Sequence, residues 1–227
     1  MDLALSPQDE AFRDEVRRFL AENLTEDLRE AGRKTSGVFA DFAAGLRWHK
    51  VLARRGWSAP TWPKEYGGTG WNATQRYIFA RECIAVDAPR IFSMGIRMVG
   101  PVIMKFGTPE QKAKYLPGIV SGDIVFCQGY SEPGSGSDLA SLKTRAERDG
   151  DDYVINGTKI WTTGAHVANH MFCLVRTSTE GKPQEGISFV LLDSMDLPGL
   201  SVKPILTLAG DHEVNPVSYT HLTLPTI

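Results

Sequence analysis

The chain has 227 residues, a hydrophobic fraction of 42% and a formal net charge of −2. That length suits two domains with cores of their own, and the near-neutral balance gives no reason to expect nucleic acid or an anionic membrane as partner. No apolar run approaches the length of a bilayer span. The start, MDLALSPQDE, lacks the basic region and apolar stretch of a secretory signal. Cys83, Cys127 and Cys173 are an odd set without CxxC spacing. They read as free or buried thiols of a reducing, cytoplasmic compartment rather than as disulfides or a zinc site.

The first part of the chain reads as helical. Ser6-Pro7-Gln8-Asp9 is a helix start, with a serine cap, proline at the first position and an acid in the first turn. Phe12, Val16, Phe19 and Leu20 follow on one face. A second helix is predicted over 39–54, with Phe42, Leu46 and Leu52 inward. A third is capped by Asn72 and runs through Tyr77, Ile78 and Ile84. An apolar fourth covers 91–106. Thr108-Pro109-Glu110-Gln111 is a capping box that opens a short helix ending near Leu116-Pro117-Gly118. Trp48, Trp57, Trp62 and Trp71 read as core and packing residues. The stretch from Tyr66 to Gly70 resembles a phosphate loop, but no strand precedes it and no Gly-Lys-Ser/Thr follows, so it reads as a bend.

The pattern changes near residue 122. Asp149-Gly150-Asp151-Asp152 and Asn156-Gly157 are hairpin signals. Around them lie β-rich runs at 153–155, 160–163, 171–176 and 187–192. The fold class is therefore α+β and multidomain: a helical domain over 1–122, then an antiparallel β-barrel or sandwich over 123–215. Residues 216–227, PVSYTHLTLPTI, read as out-of-frame or adapter-derived sequence and stand outside the fold, so deleting them should cost nothing. His166 and His170 are four apart, yet no third ligand accompanies them, so no metal site is expected.

The chemistry concentrates in two segments, SEPGSGSD at 131–138 and INGTKIWTTGA at 155–165. Glu132-Pro133 starts a turn. Gly134 and Gly136 could take positive φ and aim successive N–H groups at an anion, with Ser131, Ser135 and Ser137 adding hydroxyls. Asp138 is placed to tie the loop to itself. By itself such a loop reads as solvated, and Trp161 by itself could equally be core.

The two segments, at their separation, resemble the acyl-CoA dehydrogenase family. GWSAPTWPKEYGGTG at 56–70 and KFGTPEQKAKYLPGIVSGD at 105–123 are similar to that family too. The first of these looks most like the branch that includes the large subunit of pimeloyl-CoA dehydrogenase. The resemblance implies FAD as cofactor. Gln128, Tyr130 and Ser131 would border the flavin. Gly136 and Ser137 would lie at the pyrophosphate, with Ser137 also close to the acyl-CoA. Trp161 would pack on the isoalloxazine, and Thr163 would hydrogen-bond near N5 and O4. The implied reaction is α,β-dehydrogenation of an acyl-CoA thioester, with electrons passing to an electron-transferring flavoprotein, in a homo- or hetero-oligomer. The family's C-terminal helical bundle and its glutamate base have no counterpart in the sequence, so no catalytic residue is named and the chain as given is expected to be inactive. Alternatives on the same scaffold are an acyl-CoA oxidase or flavin monooxygenase. A further one is a non-catalytic flavin- or partner-binding subunit.

Overall fold

A computed structural model describes residues 4–225 except 36, 38 and 40. The chain forms two compact units, 1–123 and 124–227.

The first unit is helical. Helix α1 (Pro7–Asn23) starts as read: the Ser6 hydroxyl accepts from the Asp9 N–H at 3.2 Å, and Phe12, Val16, Phe19 and Leu20 are its buried face. Helix α2 (Glu26–Arg33) has no counterpart in the sequence reading. It is only eight residues long and buries only Leu28, too short an apolar signal to stand out in the sequence. Helix α3 (Phe42–Arg55) begins behind Asp41, whose carboxylate accepts from Ala44 N, and ends at left-handed Gly56. Its buried side is Ala44, Trp48, His49 and Leu52, with Phe42 and Leu46 half-buried.

Helix α4 (Ala73–Ala85) has the Asn72/Gln75 capping box. Of the predicted face, only Ile78 goes inward. Tyr77 and Ile84 are 61% and 71% exposed, and Phe79 and Glu82 are buried instead. The predicted fourth helix is shorter, a π-helical turn at Gly95–Val99 followed by α5 (Gly100–Phe106). Helix α6 (Pro109–Ser121) has the Thr108/Gln111 box but runs through Pro117 to a left-handed Gly122. Buried Tyr115, Leu116 and Ile119 carry it past the proline. Pro117 and Ala113 face solvent, where water can take the carbonyl that a proline leaves without a donor.

The tryptophans are core, as read. Phe19 and Trp57 lie 4.7 Å apart between ring centroids, Phe12 and Trp71 5.0 Å, and Trp71 and Phe79 5.1 Å. Trp62 donates its indole N–H to the Ile96 carbonyl at 2.7 Å. Gly68 has no room for a side chain, since a Cβ would come within 1.8 Å of the Trp62 carbonyl oxygen. The glycines of 66–70 thus make a close backbone crossing rather than a phosphate cradle.

The second unit is a curled mixed sheet, eight-stranded among the described residues. Its strands are β1 (Phe126–Gly129), β2 (Arg145–Asp149), β3 (Asp152–Thr163), β4 (His170–Arg176), β5 (Ile187–Leu192), β6 (Leu200–Val202), β7 (Ile205–Leu206) and β8 (His212–Pro225). The order is β1-β4-β2-β3-β8-β6, with β5 also on β4 and β7 on β8. Most pairings are antiparallel, as expected, but β1 and β2 both run parallel to β4. Phe126, Cys127, Ile155, Met171, Phe172, Cys173, Val175 and Leu192 fill its core.

Two sequence expectations change here. The turn at 149–152 forms, with Gly150 at φ 61°, but Asn156-Gly157 lies inside a continuous β3. Gly157 marks a register shift against β8, at φ 151°, where a Cβ would meet Thr144 Oγ1 at 2.5 Å. The Asn156 side chain bridges to β8 by accepting from His221 N at 2.9 Å. The glycine serves close approach within the sheet, as a bulge does. The second change concerns residues 216–225, which were set outside the fold. They lie in β8, paired with β3 from Asp152↔Pro225 to Lys159↔Val217, and Val217, Tyr219 and Leu222 are buried. Thr226 and Ile227 lie outside the described residues.

Candidate functional site

The loop 130–138 is anchored at its first half and open at its second. Glu132 and Ser135 exchange backbone hydrogen bonds at 2.8 and 3.0 Å, closing a tight turn over Pro133-Gly134. Neither Gly134 nor Gly136 takes positive φ, so the anion concavity expected from left-handed glycines is not formed that way. Asp138 does tie the loop, through its main-chain carbonyl, which accepts from the Ser135 and Ser141 hydroxyls at 2.8 Å each.

Glu132 is the anchor, and its role goes beyond the turn position assigned to it. Its carboxylate is buried and accepts from Lys143 N at 2.6 Å, Thr144 N at 2.9 Å and Lys159 Nζ at 2.8 Å. Lys159, fully buried in β3, also donates to the Tyr130 carbonyl at 3.1 Å. Burial would raise the Glu132 carboxyl, but Lys159 and the donors from Thr144 and Lys143 together outweigh it and hold it below the ordinary glutamate value. A lysine in a β-rich stretch and a glutamate in a Gly/Ser loop were the available signals, but only the fold shows that they meet.

The candidate residues gather along β1, this loop and the end of β3. Gln128 is half-buried in β1. Tyr130 stands edge-on to Phe172 at 5.8 Å. The Ser131 carbonyl accepts from Ile160 N at 2.8 Å, which puts Ser131 beside the residue preceding Trp161. Gly136 and Ser137 are exposed, and a Cβ at Gly136 would meet nothing within 4 Å. Trp161 is 61% exposed at φ 60°, in a bulge of β3 between Lys159 and Thr162. A bulky residue in the left-handed region costs on the order of 1–2 kcal/mol and marks functional constraint more often than chance. Thr163 is half-buried, opposite Val214 of β8. The Thr162 hydroxyl oxygen is buried without a hydrogen-bond partner.

A flavin needs a flat apolar face with polar groups at its edge, and these residues fit that need. The open Gly136-Ser137 stretch, the presented indole and the adjoining backbone of Ser131 all lie within one unit. Among the described residues no group of three His, Cys, Asp or Glu side chains could hold a metal. His166 pairs with His212, not His170: the two rings stack at 3.8 Å. The thiols are free, and burial pushes Cys83 up to about 12 and Cys173 up to about 11, far from nucleophilic thiolates. No helix among the described residues is long and apolar enough to cross a membrane.

A helical unit followed by a curled mixed sheet is the architecture of the first two domains of acyl-CoA dehydrogenases. The model of the acyl-CoA dehydrogenase N-terminal domain matches residues 6–123, and that of the middle domain matches 127–223. The chain belongs to the acyl-CoA dehydrogenase family. It is 41% identical, over 99% of its length, to acyl-CoA dehydrogenase FadE26 of Mycobacterium tuberculosis, and spans 56% of that protein. Among solved structures it resembles the Tcur3481-Tcur3483 steroid ACAD, with a TM-score of 0.84 and 39% identity over 100% of this chain and 57% of that one. It also resembles the ChsE4-ChsE5 complex from Mycobacterium tuberculosis, with a TM-score of 0.83 and 38% identity over 100% of this chain and 56% of that one. The chain thus spans about half the length of the relatives it matches.

Proposed function

We propose that this chain carries the flavin-binding part of an FAD-dependent acyl-CoA dehydrogenase, with residues 1–122 as its N-terminal domain and 123–225, strand β8 included, as its middle domain. The observation that carries the reading is Trp161, a large exposed aromatic held at left-handed φ beside the anchored serine loop. In this reading Trp161 gives the flavin its apolar face and Thr163 a hydrogen bond at its edge. Gln128, Tyr130 and Ser131 border the ring, and Gly136 and Ser137 meet the pyrophosphate. Ser137 also faces the acyl-CoA. FAD, when bound, supplies the acceptor for the hydrogen removed from the β-carbon of the thioester. The chain's own residues orient it and exclude water from its face. Electrons leave to an electron-transferring flavoprotein, and the enzyme works in the cytoplasm.

The substrate class we propose is a steroid-type acyl-CoA, and the assembly a hetero-oligomer with a second, related chain. The support is the likeness to the Tcur3481-Tcur3483 steroid ACAD and to the ChsE4-ChsE5 complex. The test is dye reduction by the full-length protein, with and without a co-expressed partner, on steroid side-chain and straight-chain acyl-CoA thioesters. Turnover preferring the steroid thioester is expected. Equal or greater turnover of the straight-chain thioester would remove the steroid assignment, and no turnover with either would remove the dehydrogenase.

Trp161 gives a direct prediction. In the full-length protein Trp161→Ala should weaken FAD binding by about 1–3 kcal/mol, the worth of a buried aromatic face. Titration of apoprotein with FAD measures it, and unchanged affinity would return Trp161 to a surface role.

A further inference from the structure

The left-handed turn at Trp161 needs something to hold it, and the structure offers one buried side chain. Asn215, in β8, is fully buried. Its Nδ2 lies 3.0 Å from the Thr162 carbonyl oxygen and 3.1 Å from His166 Nδ1, and its Oδ1 lies 2.7 Å from His212 Nε2. A carbonyl only accepts, so the Thr162 contact fixes which end of the amide faces β3. The same NH2 group then donates to His166 Nδ1, which makes His166 the Nε2–H tautomer. The amide oxygen accepts from His212 Nε2–H. Both amide donors and its acceptor are used.

We infer that Asn215 is a positioning residue for the flavin site: it grips the Thr162 carbonyl and so holds the β3 bulge at which Trp161 is presented. The inference rests on the flavin reading above for its function, but its geometry stands without it. Three observations converge. The bulge in β3·β8 pairing spans Lys159 to Thr162, and the ladder resumes at Thr162↔Asn215. The strained residue immediately precedes the gripped carbonyl. The histidine pair that orients the amide closes the network from the turn after β3 on one side and from β8 on the other. Burial, and then the charge of His212, keep His166 below its ordinary value, as an acceptor Nδ1 requires.

The experiment uses the full-length protein with Asn215→Leu and Asn215→Asp. The aspartate keeps the size and the bond from His212 but cannot donate to Thr162, so it decides the matter if the leucine variant does not fold. Each is made alone and with Trp161→Gly, since glycine adopts the turn without strain. FAD affinity should fall about tenfold in each single Asn215 variant, the scale of one buried hydrogen bond. In the Trp161→Gly background the same substitutions should change it less than about twofold, because a residue acting through Trp161 has nothing left to position. Equal losses in both backgrounds, or no loss in either, would overturn the inference. If Trp161→Gly alone leaves FAD affinity unchanged, the flavin reading fails. The positioning role is then decided in the apoprotein by the Trp161 Cα and Cβ chemical shifts. Their left-handed signature should vanish in Asn215→Asp, and its persistence would overturn the role.

Discussion

Deleting residues 216–227 should unfold the β unit. Strand β8 contributes Val217, Tyr219 and Leu222, which are 0%, 3% and 1% exposed. Each such side chain is worth about 1.5–3 kcal/mol of burial, so the three together amount to roughly 5–9 kcal/mol. A domain's whole stability is about 5–15 kcal/mol. The deletion also strips β3 of a partner along Asp152 to Lys159 and takes from β6 the strand it pairs with. The exposed β3 edge would template association. Hydrogen exchange on the chain ending at residue 215, beside the complete chain, resolves the two units separately. Loss of protection across β3, with α1 to α6 protected as before, is the expected result. Equal protection of β3 in both chains would show that β8 beyond Asn215 adds nothing.

That prediction reverses the one drawn from sequence, and the reason is physical. PVSYTHLTLPTI carries two prolines and no visible partner, so its composition argued against a ladder strand. Pairing is decided by what the neighbour presents. Here β3 offers a long strand whose Ile155 side needs cover; Pro225 falls at one end of the paired stretch and Pro216 in the register shift between Lys159↔Val217 and Thr162↔Asn215. Local signals that close on themselves were legible. Ser6, Asn72 and Thr108 cap helices three residues ahead, and the turn at 149–152 needs only its own glycine. Signals whose meaning depends on a distant residue were not. Asn156-Gly157 has hairpin composition, but Thr144 and His221 make it a bulge. The site residues were readable as types, an aromatic and a serine loop. The backbone strain at Trp161 and the Lys159–Glu132 bond, which joins the two segments, depend on tertiary structure and leave no trace in composition.

Lys159→Met should cost the β unit about 3–5 kcal/mol at neutral pH, because it leaves the Glu132 carboxylate buried without its cation. Methionine fills a similar volume, so the loss reports charge rather than a cavity. Replacing Glu132 as well should recover part of it. In Lys159→Met/Glu132→Gln the buried charge is gone, while the amide oxygen can still accept from Lys143 or Thr144 N–H. The pH dependence carries the sharper test. In the wild type the Glu132 carboxyl is held below its ordinary value. Its contribution is therefore complete above the ordinary carboxylate range, near 4.3, and is lost as pH falls through the lowered folded value. Without Lys159 the N–H donors of Lys143 and Thr144 remain, but burial is the largest single influence, so the folded carboxyl is expected to rise above its unfolded value. The variant's penalty should then shrink as pH falls toward the ordinary carboxylate range, because the protonated acid tolerates burial. Urea unfolding followed by hydrogen exchange at pH 7 and near pH 5 reads both terms. A penalty below about 1 kcal/mol at pH 7, the scale of an exposed ion pair, would make the pair dispensable. A penalty that does not change with pH would show that packing, not the Glu132 charge, is what Lys159 secures. Because the Glu132–Lys159 pair fixes Tyr130 and the start of the serine loop, its loss should also weaken FAD binding in the full-length protein, whatever remains of the fold.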